Sequence, residues 1–253
     1  MLLDWENLSI IGPALIAGLL VLATHAPLGQ MVLKRGIIFI DLAIAQIAGL
    51  GVIVTHQFIH EPQWWLSQII ALASAILGSM LLRWTEKYWS QIQEALIGIV
   101  FVLAATGGIL VLSRNPEGGE HLQDILTGQI LWVNSQQLIF TAIVYAVVLL
   151  LWYRMPRLRQ GSGFYLLFAV CITLSVQMVG VYLVFSSLII PAVAVSQMKK
   201  NQLAIAYATG ICAYVAGLLV SLFTDLPSGP LIVMMMALSG VIFWNLFSSI
   251  RET

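Results

Sequence analysis

Residues 34–54 read KRGIIFIDLAIAQIAGLGVIV, and this stretch decides the fold. Two cations, Lys34 and Arg35, close a loop, and an apolar run then continues from Gly36 to about His56. That is long enough to cross a bilayer, which takes roughly 20 residues at helical rise. A carboxylate, Asp41, stands inside the run. At membrane depth an ionisable group costs at least about 2.5 kcal/mol, so it faces a pathway or a partner rather than lipid. Two readings are open. Asp41 lines a transport route, or it lies near the cytoplasmic end of its helix and reaches headgroup water or Arg35. Ala43, Ala45, Ala48, Gly49 and Gly51 follow it, small residues that let another helix or a solute come close.

The rest of the chain has the same character. Hydrophobic residues make up 60% and charged residues 9% of the 253 positions, and mean hydropathy is +0.97. A soluble domain carries about 25% charged residues, so the composition predicts an all-α, polytopic membrane protein, residues 1–253 forming a single membrane domain. Formal net charge is zero, with no basic or acidic tail, which gives nucleic acid nothing to bind. Cys171 and Cys212 both lie in apolar runs with no second thiol or histidine at ligand spacing, and read as packing residues. The first ten residues, MLLDWENLSI, are acidic where a signal peptide is basic, so the first apolar run reads as a retained span.

Working outward, apolar runs at about 8–22, 36–56, 66–82, 96–112 and 138–152 each read as one span, the first interrupted by Pro13 and Gly18. The segment 24–35 between the first two reads as a loop. Another loop, at 83–95, is amphipathic and carries Trp84, Tyr88 and Trp89 as interface anchors. A short apolar piece at 122–133 cannot cross and reads as an interfacial or re-entrant helix on the outer side. Residues 164–196 are too long for one span and barely enough for two, with Gly180 as the break and Pro191 a second irregularity. Spans at about 203–223 and 231–247 complete a count of eight or nine. Lys and Arg concentrate in alternate loops, at Lys34 and Arg35, Arg83 and Lys87, Arg154 to Arg159, Lys199 and Lys200, and Arg251. The intervening loops carry Glu61, then Glu117, Glu120 and Asp124, then Asp225. Cytoplasmic loops hold the cationic excess, so the N-terminus is expected outside and the C-terminus inside.

Chemistry-bearing residues are few. His56 and His60 stand one helical turn apart beside Glu61, a spacing that could hold a transition metal or lie in a solvated loop. The spacing resembles a zinc-protease motif, but Gln57 occupies the place of the general base, and an amide cannot take a proton. Glu120, His121 and Asp124 fall together on the outer side, able to attract or pass a cation, or simply solvated. No GxxxxGK[ST] motif occurs, so any nucleotide is expected on another chain.

Four stretches resemble the membrane permeases of ABC transporters for zinc, manganese and iron. They are RGIIFIDLAIAQIAGLG at 35–51, HLQDILTGQILWVNSQQL at 121–138, VGVYLVFSSLIIPAVAV at 179–195 and TDLPSGPLIVMMM at 224–236. The resemblance implies the fold of the cobalamin and siderophore importers and a homodimer in the cell membrane, the inner membrane in a Gram-negative cell. It also implies cytoplasmic ATP-binding subunits, an extracytoplasmic metal-binding protein, and no cofactor in this chain itself. Metal would pass Glu120, His121 and Asp124 outside and Asp41 within the membrane. Two features depart from the family. Its permeases place histidine one turn after the acidic residue, where this sequence has Ala45, and Gln46 lies about 140° round the helix from Asp41. They also carry an acidic coupling segment for the ATPase where this chain has the basic RMPRLRQGSG, so docking is expected to be reduced or to use 83–94 instead. The function expected is transport rather than catalysis: an ATP-driven metal-ion importer or, as the alternative, a stand-alone carrier driven by a proton or sodium gradient.

Overall fold

A computed structural model describes residues 5–59, 63–113 and 118–247, the side chains of 5–9, 64, 120 and 121 excepted. The described residues are helical with short connections. Ten α-helices follow one another: α1 (Trp5–Arg35), α2 (Ile40–Phe58), α3 (Trp64–Trp89), α4 (Gln93–Leu112), α5 (Gly118–Thr127), α6 (Ser135–Arg154), α7 (Gly161–Val179), α8 (Val181–Ala194), α9 (Gln202–Thr224) and α10 (Ser228–Leu246). The helices α1, α2, α6, α7, α9 and α10 are long and apolar enough to span a membrane. So is the 48-residue stretch Trp65–Leu112. At about 1.5 Å per residue that stretch is more than twice as long as a bilayer's hydrocarbon core. A 3-10 turn at Ser90–Ile92 folds it back into α3 and α4, both of which pack on α2. Eight full-length helices therefore stand among the described residues. The 14-residue α8 reaches only about 21 Å and is too short to cross alone.

The first span differs from the expectation. The chain stays helical through Pro13, Pro27 and the whole of 24–35, which is not a loop. At Pro27 and at the polar pair Thr24 and His25 the backbone and side-chain groups find partners. Proline removes the N–H that would bond the carbonyl four residues back. For Pro27 that carbonyl belongs to Ala23, and it accepts instead from the Tyr207 hydroxyl of α9 at 3.0 Å. Thr24 and His25 turn their polar atoms back onto the Val21 carbonyl, at 3.2 and 2.9 Å. Ala26, Leu28 and Val32 bury the rest of the segment. The expected loop at 83–95 is likewise helix, 3-10 turn and helix. Its aromatics cluster at the surface, Trp84 lying 5.5 Å from Tyr88 and 5.1 Å from Trp89.

Gly180 breaks the long apolar stretch as expected. Its φ of +81° and ψ of 163° lie in a region that side chains other than hydrogen scarcely visit. Gly128, just after α5, sits backbone to backbone against it: a Cβ on Gly180 would fall 2.3 Å from the Gly128 nitrogen. This contact seats α5 on the α7–α8 junction.

The two ends of the bundle segregate as the charge pattern requires. At one end, Arg35 donates to the Arg159 carbonyl at 2.7 Å, lies 3.9 Å from Glu86 and stacks 4.2 Å over Phe164. Arg83 pairs with the same Glu86 at 3.2 Å. Arg159 also donates to the Trp152 carbonyl at 2.8 Å. At the other end, α5 meets Gly180, and the Thr127 carbonyl faces Gly229 at the start of α10. The cationic cluster gathers at the first end, the end that the positive-inside rule expects in the cytoplasm.

Candidate functional site

The local sequence sets Asp41 at the start of α2. Gly36 turns the chain with φ +68°, and α2 begins after Phe39, whose N–H donates to Glu94 of α4 at 3.1 Å. Asp41 follows in the first turn, where helix polarity favours a negative charge. It is 1% exposed, and neither carboxylate oxygen completes a hydrogen bond, although the N–H groups of Asp41 and Leu42 lie alongside. Arg35, the partner one reading gave it, is engaged by Arg159, Glu86 and Phe164 instead. The carboxylate is thus enclosed in protein without a cation. Ala45 and Ala48 are buried on the same face of α2.

Two hollows open on other parts of α2. A groove of about 730 Å³ takes in Leu42, Gln46, Phe101, Leu126, Tyr182 and Ser186 and carries no charged side chain. A smaller cavity of about 330 Å³ lies between the C-terminal part of α2, α5 and the end of α7. Its wall combines Ala48, Gly49 and Val52 with Asp124, Gln129 and Gln177. Asp124, expected at an outer mouth, is therefore brought together with two amides. It is not brought to Asp41, which lies about 10 Å further along α2 from Ala48 at helical rise. Glu120 and His121 belong to α5 in their backbone, and their side chains are outside the described residues.

Other candidates are dispersed. His56 is exposed, with Ser67 Oγ 3.4 Å from its Nε2, while His60 and Glu61 lie outside the described residues. Cys171 is buried, Cys212 exposed, and both are free. No group of three His, Cys, Asp or Glu comes together among the described residues. The basic loop after α6 forms a 3-10 turn, Pro156–Arg159, with Arg154 and Arg157 exposed.

The sequence reading missed the amides. Gln177 bonds Gln68 of α3 through their side chains, and its backbone carbonyl accepts from Gln137 of α6 at 3.4 Å. Their meeting joins helices distant in sequence, so no local pattern marked them.

The comparisons with known proteins converge. The zinc uptake membrane protein ZnuB of Haemophilus influenzae is 25% identical over 246 residues, covering 88% of this chain and 92% of the relative. The manganese transport membrane protein MntC of Halalkalibacterium halodurans is 24% identical, covering 89% and 83%. In structure, the chain is similar to PsaBC from Streptococcus pneumoniae, with a TM-score of 0.77 at 22% identity, over 97% of this chain and 96% of that one. The ABC 3 transport family matches residues 7–158 and 156–246. With that match spanning almost the whole helical bundle, this chain is a multi-pass membrane protein that belongs to the ABC 3 transport family.

Proposed function

We propose that this chain is the membrane-spanning permease subunit of an ATP-driven importer of divalent metal ions, zinc or manganese. The observation that carries the reading is the family match from residue 7 to residue 246, in a chain whose fold is similar to that of PsaBC over 97% of its length. The names of the relatives ZnuB and MntC supply the cargo class. ATP is hydrolysed on separate cytoplasmic subunits, since the sequence holds no phosphate-binding loop and the chain itself needs no cofactor. An extracytoplasmic metal-binding protein delivers the ion to the outer end, where Glu120, His121 and Asp124 receive it. Two copies of the chain form the channel-bearing homodimer. Within the membrane, Asp41 meets the ion: its buried, unpartnered carboxylate is the kind of group a passing cation stabilises.

Affinity purification of the tagged chain from its native membrane tests the assembly. A nucleotide-binding subunit should co-purify at one copy per permease. Recovery of the chain alone, with full metal uptake in cells from which every candidate ATPase partner has been deleted, would remove the reading.

A further inference from the structure

The cavity between α2, α5 and α7 has a chemistry that the larger groove lacks. Asp124 supplies a carboxylate, and Gln129 and Gln177 supply amides, the first two exposed and Gln177 half-buried, in a wall otherwise made by small and apolar residues of α2, α5 and α7. Two helices end here. Both α5 and α7 stop at a glycine of positive φ, Gly128 and Gly180, whose N–H groups bond back to Asp124 and Val176 carbonyls at 2.8 Å each. Helix C-termini present unsatisfied carbonyls and partial negative charge, which favour a cation. The amide pair adds to this. As placed, Gln68 donates to Gln177, leaving the Gln68 oxygen and the Gln177 nitrogen buried without partners. Turning both amides over keeps a bond between them and frees the Gln177 oxygen instead, since the two ends of an amide are interchangeable in shape. Every donor is then an oxygen, the preference of hard divalent ions, which also keep several waters when bound. About 330 Å³ is room for a six-water shell, roughly 180 Å³ at 30 Å³ per water.

We infer that this cavity is an outer divalent-cation site, one within each copy of the chain, built on Asp124, Gln129 and Gln177. The inference rests on the importer reading for its biological sense but not for its test. It also gives the ion a direction. Asp41, Ala45, Ala48 and Val52 follow at i, i+4, i+7 and i+11, one face of α2. The cavity floor is the outer end of the face that begins at Asp41, and the apolar groove lies on another side of the helix.

Manganese(II) is the probe, titrated into the purified full-length chain in lipid nanodiscs and followed by its electron paramagnetic resonance signal. One ion per chain should bind, and Asp124→Asn should weaken binding tenfold or more. A second readout guards against altered folding. In a Cys212→Ser background, Val52→Cys should react with a positively charged thiol reagent, manganese should slow that reaction at least tenfold, and Asp124→Asn should abolish the protection. Unchanged manganese affinity in Asp124→Asn, or no protection at position 52, would overturn the site. Neither measurement involves ATP or transport. Loss of uptake in Asp124→Asn with manganese binding intact would likewise reject the cavity while leaving the importer standing.

Discussion

Burying a carboxylate without a partner costs several kcal/mol unless it is neutralised or meets a cation. Asp41 is such a residue, with Arg35 held elsewhere by Arg159, Glu86 and Phe164. If Asp41 meets the cargo, Asp41→Asn keeps the shape and removes the charge. Uptake per correctly assembled molecule should fall tenfold or more, equivalent to about 1.4 kcal/mol per decade, with membrane insertion intact. Uptake near the original after normalisation would take Asp41 out of the route. Asp41 was legible in the sequence because a charge inside an apolar run is a local anomaly. The amides around Asp124 were not. Gln177 stands in a long apolar stretch, and its meeting with Gln68, Gln129 and Asp124 depends on three parts of the chain distant in sequence, α3, α5 with the residues just after it, and α7. The absence of histidine at position 45 was visible from the start, and the structure puts Ala45 on the buried face of α2.

At the scale of the element, proline and glycine acted in opposite ways. Gly180 broke its helix, as the sequence suggested, because its backbone takes a conformation reserved for glycine and α5 presses on it there. Gly180→Ala should cost at least about 1–3 kcal/mol for the backbone alone, with the clash against Gly128 added. The yield of folded protein in the membrane should drop accordingly, and an alanine variant of wild-type yield and thermal stability would contradict the contact. Pro27 did not break α1, because a remote side chain supplies the missing donor to the Ala23 carbonyl. No local pattern could reveal that, since Tyr207 lies on α9. Tyr207→Phe should therefore destabilise the folded protein by about 1 kcal/mol, read as a lower unfolding midpoint in detergent. In a Pro27→Ala background the backbone N–H returns, and the same change should cost less. Equal costs in both backgrounds would show that the hydroxyl does not replace the lost bond. Gly29 makes the neighbouring close approach possible, since a Cβ there would lie 1.9 Å from the Leu188 carbonyl oxygen of α8.

For the whole molecule, the alternation of cations along the sequence becomes a separation of ends, and the positive-inside rule expects the cationic end in the cytoplasm. Arg35, Arg83 and Arg159 gather at one end, and α5 with the Gly128–Gly180 contact lies at the other. In a Cys212→Ser background, single cysteines at Ser113 and Ser162 should react with an impermeant thiol reagent from opposite faces of sealed vesicles. Labelling of both from one face would reverse the orientation of half the bundle. The count of full spans came through less cleanly, because α8 is helical but too short to cross alone, and turns follow it as far as Lys199 and Lys200. The match to the ABC 3 transport family runs through all ten helices, from α1 to α10. The most direct measurement of the proposed role is metal flux in liposomes containing the chain, with and without its nucleotide-binding subunits. The account predicts accumulation of zinc or manganese only when those subunits, ATP and the outer binding protein are all present. Accumulation by the chain alone, driven by a proton or sodium gradient, would contradict it.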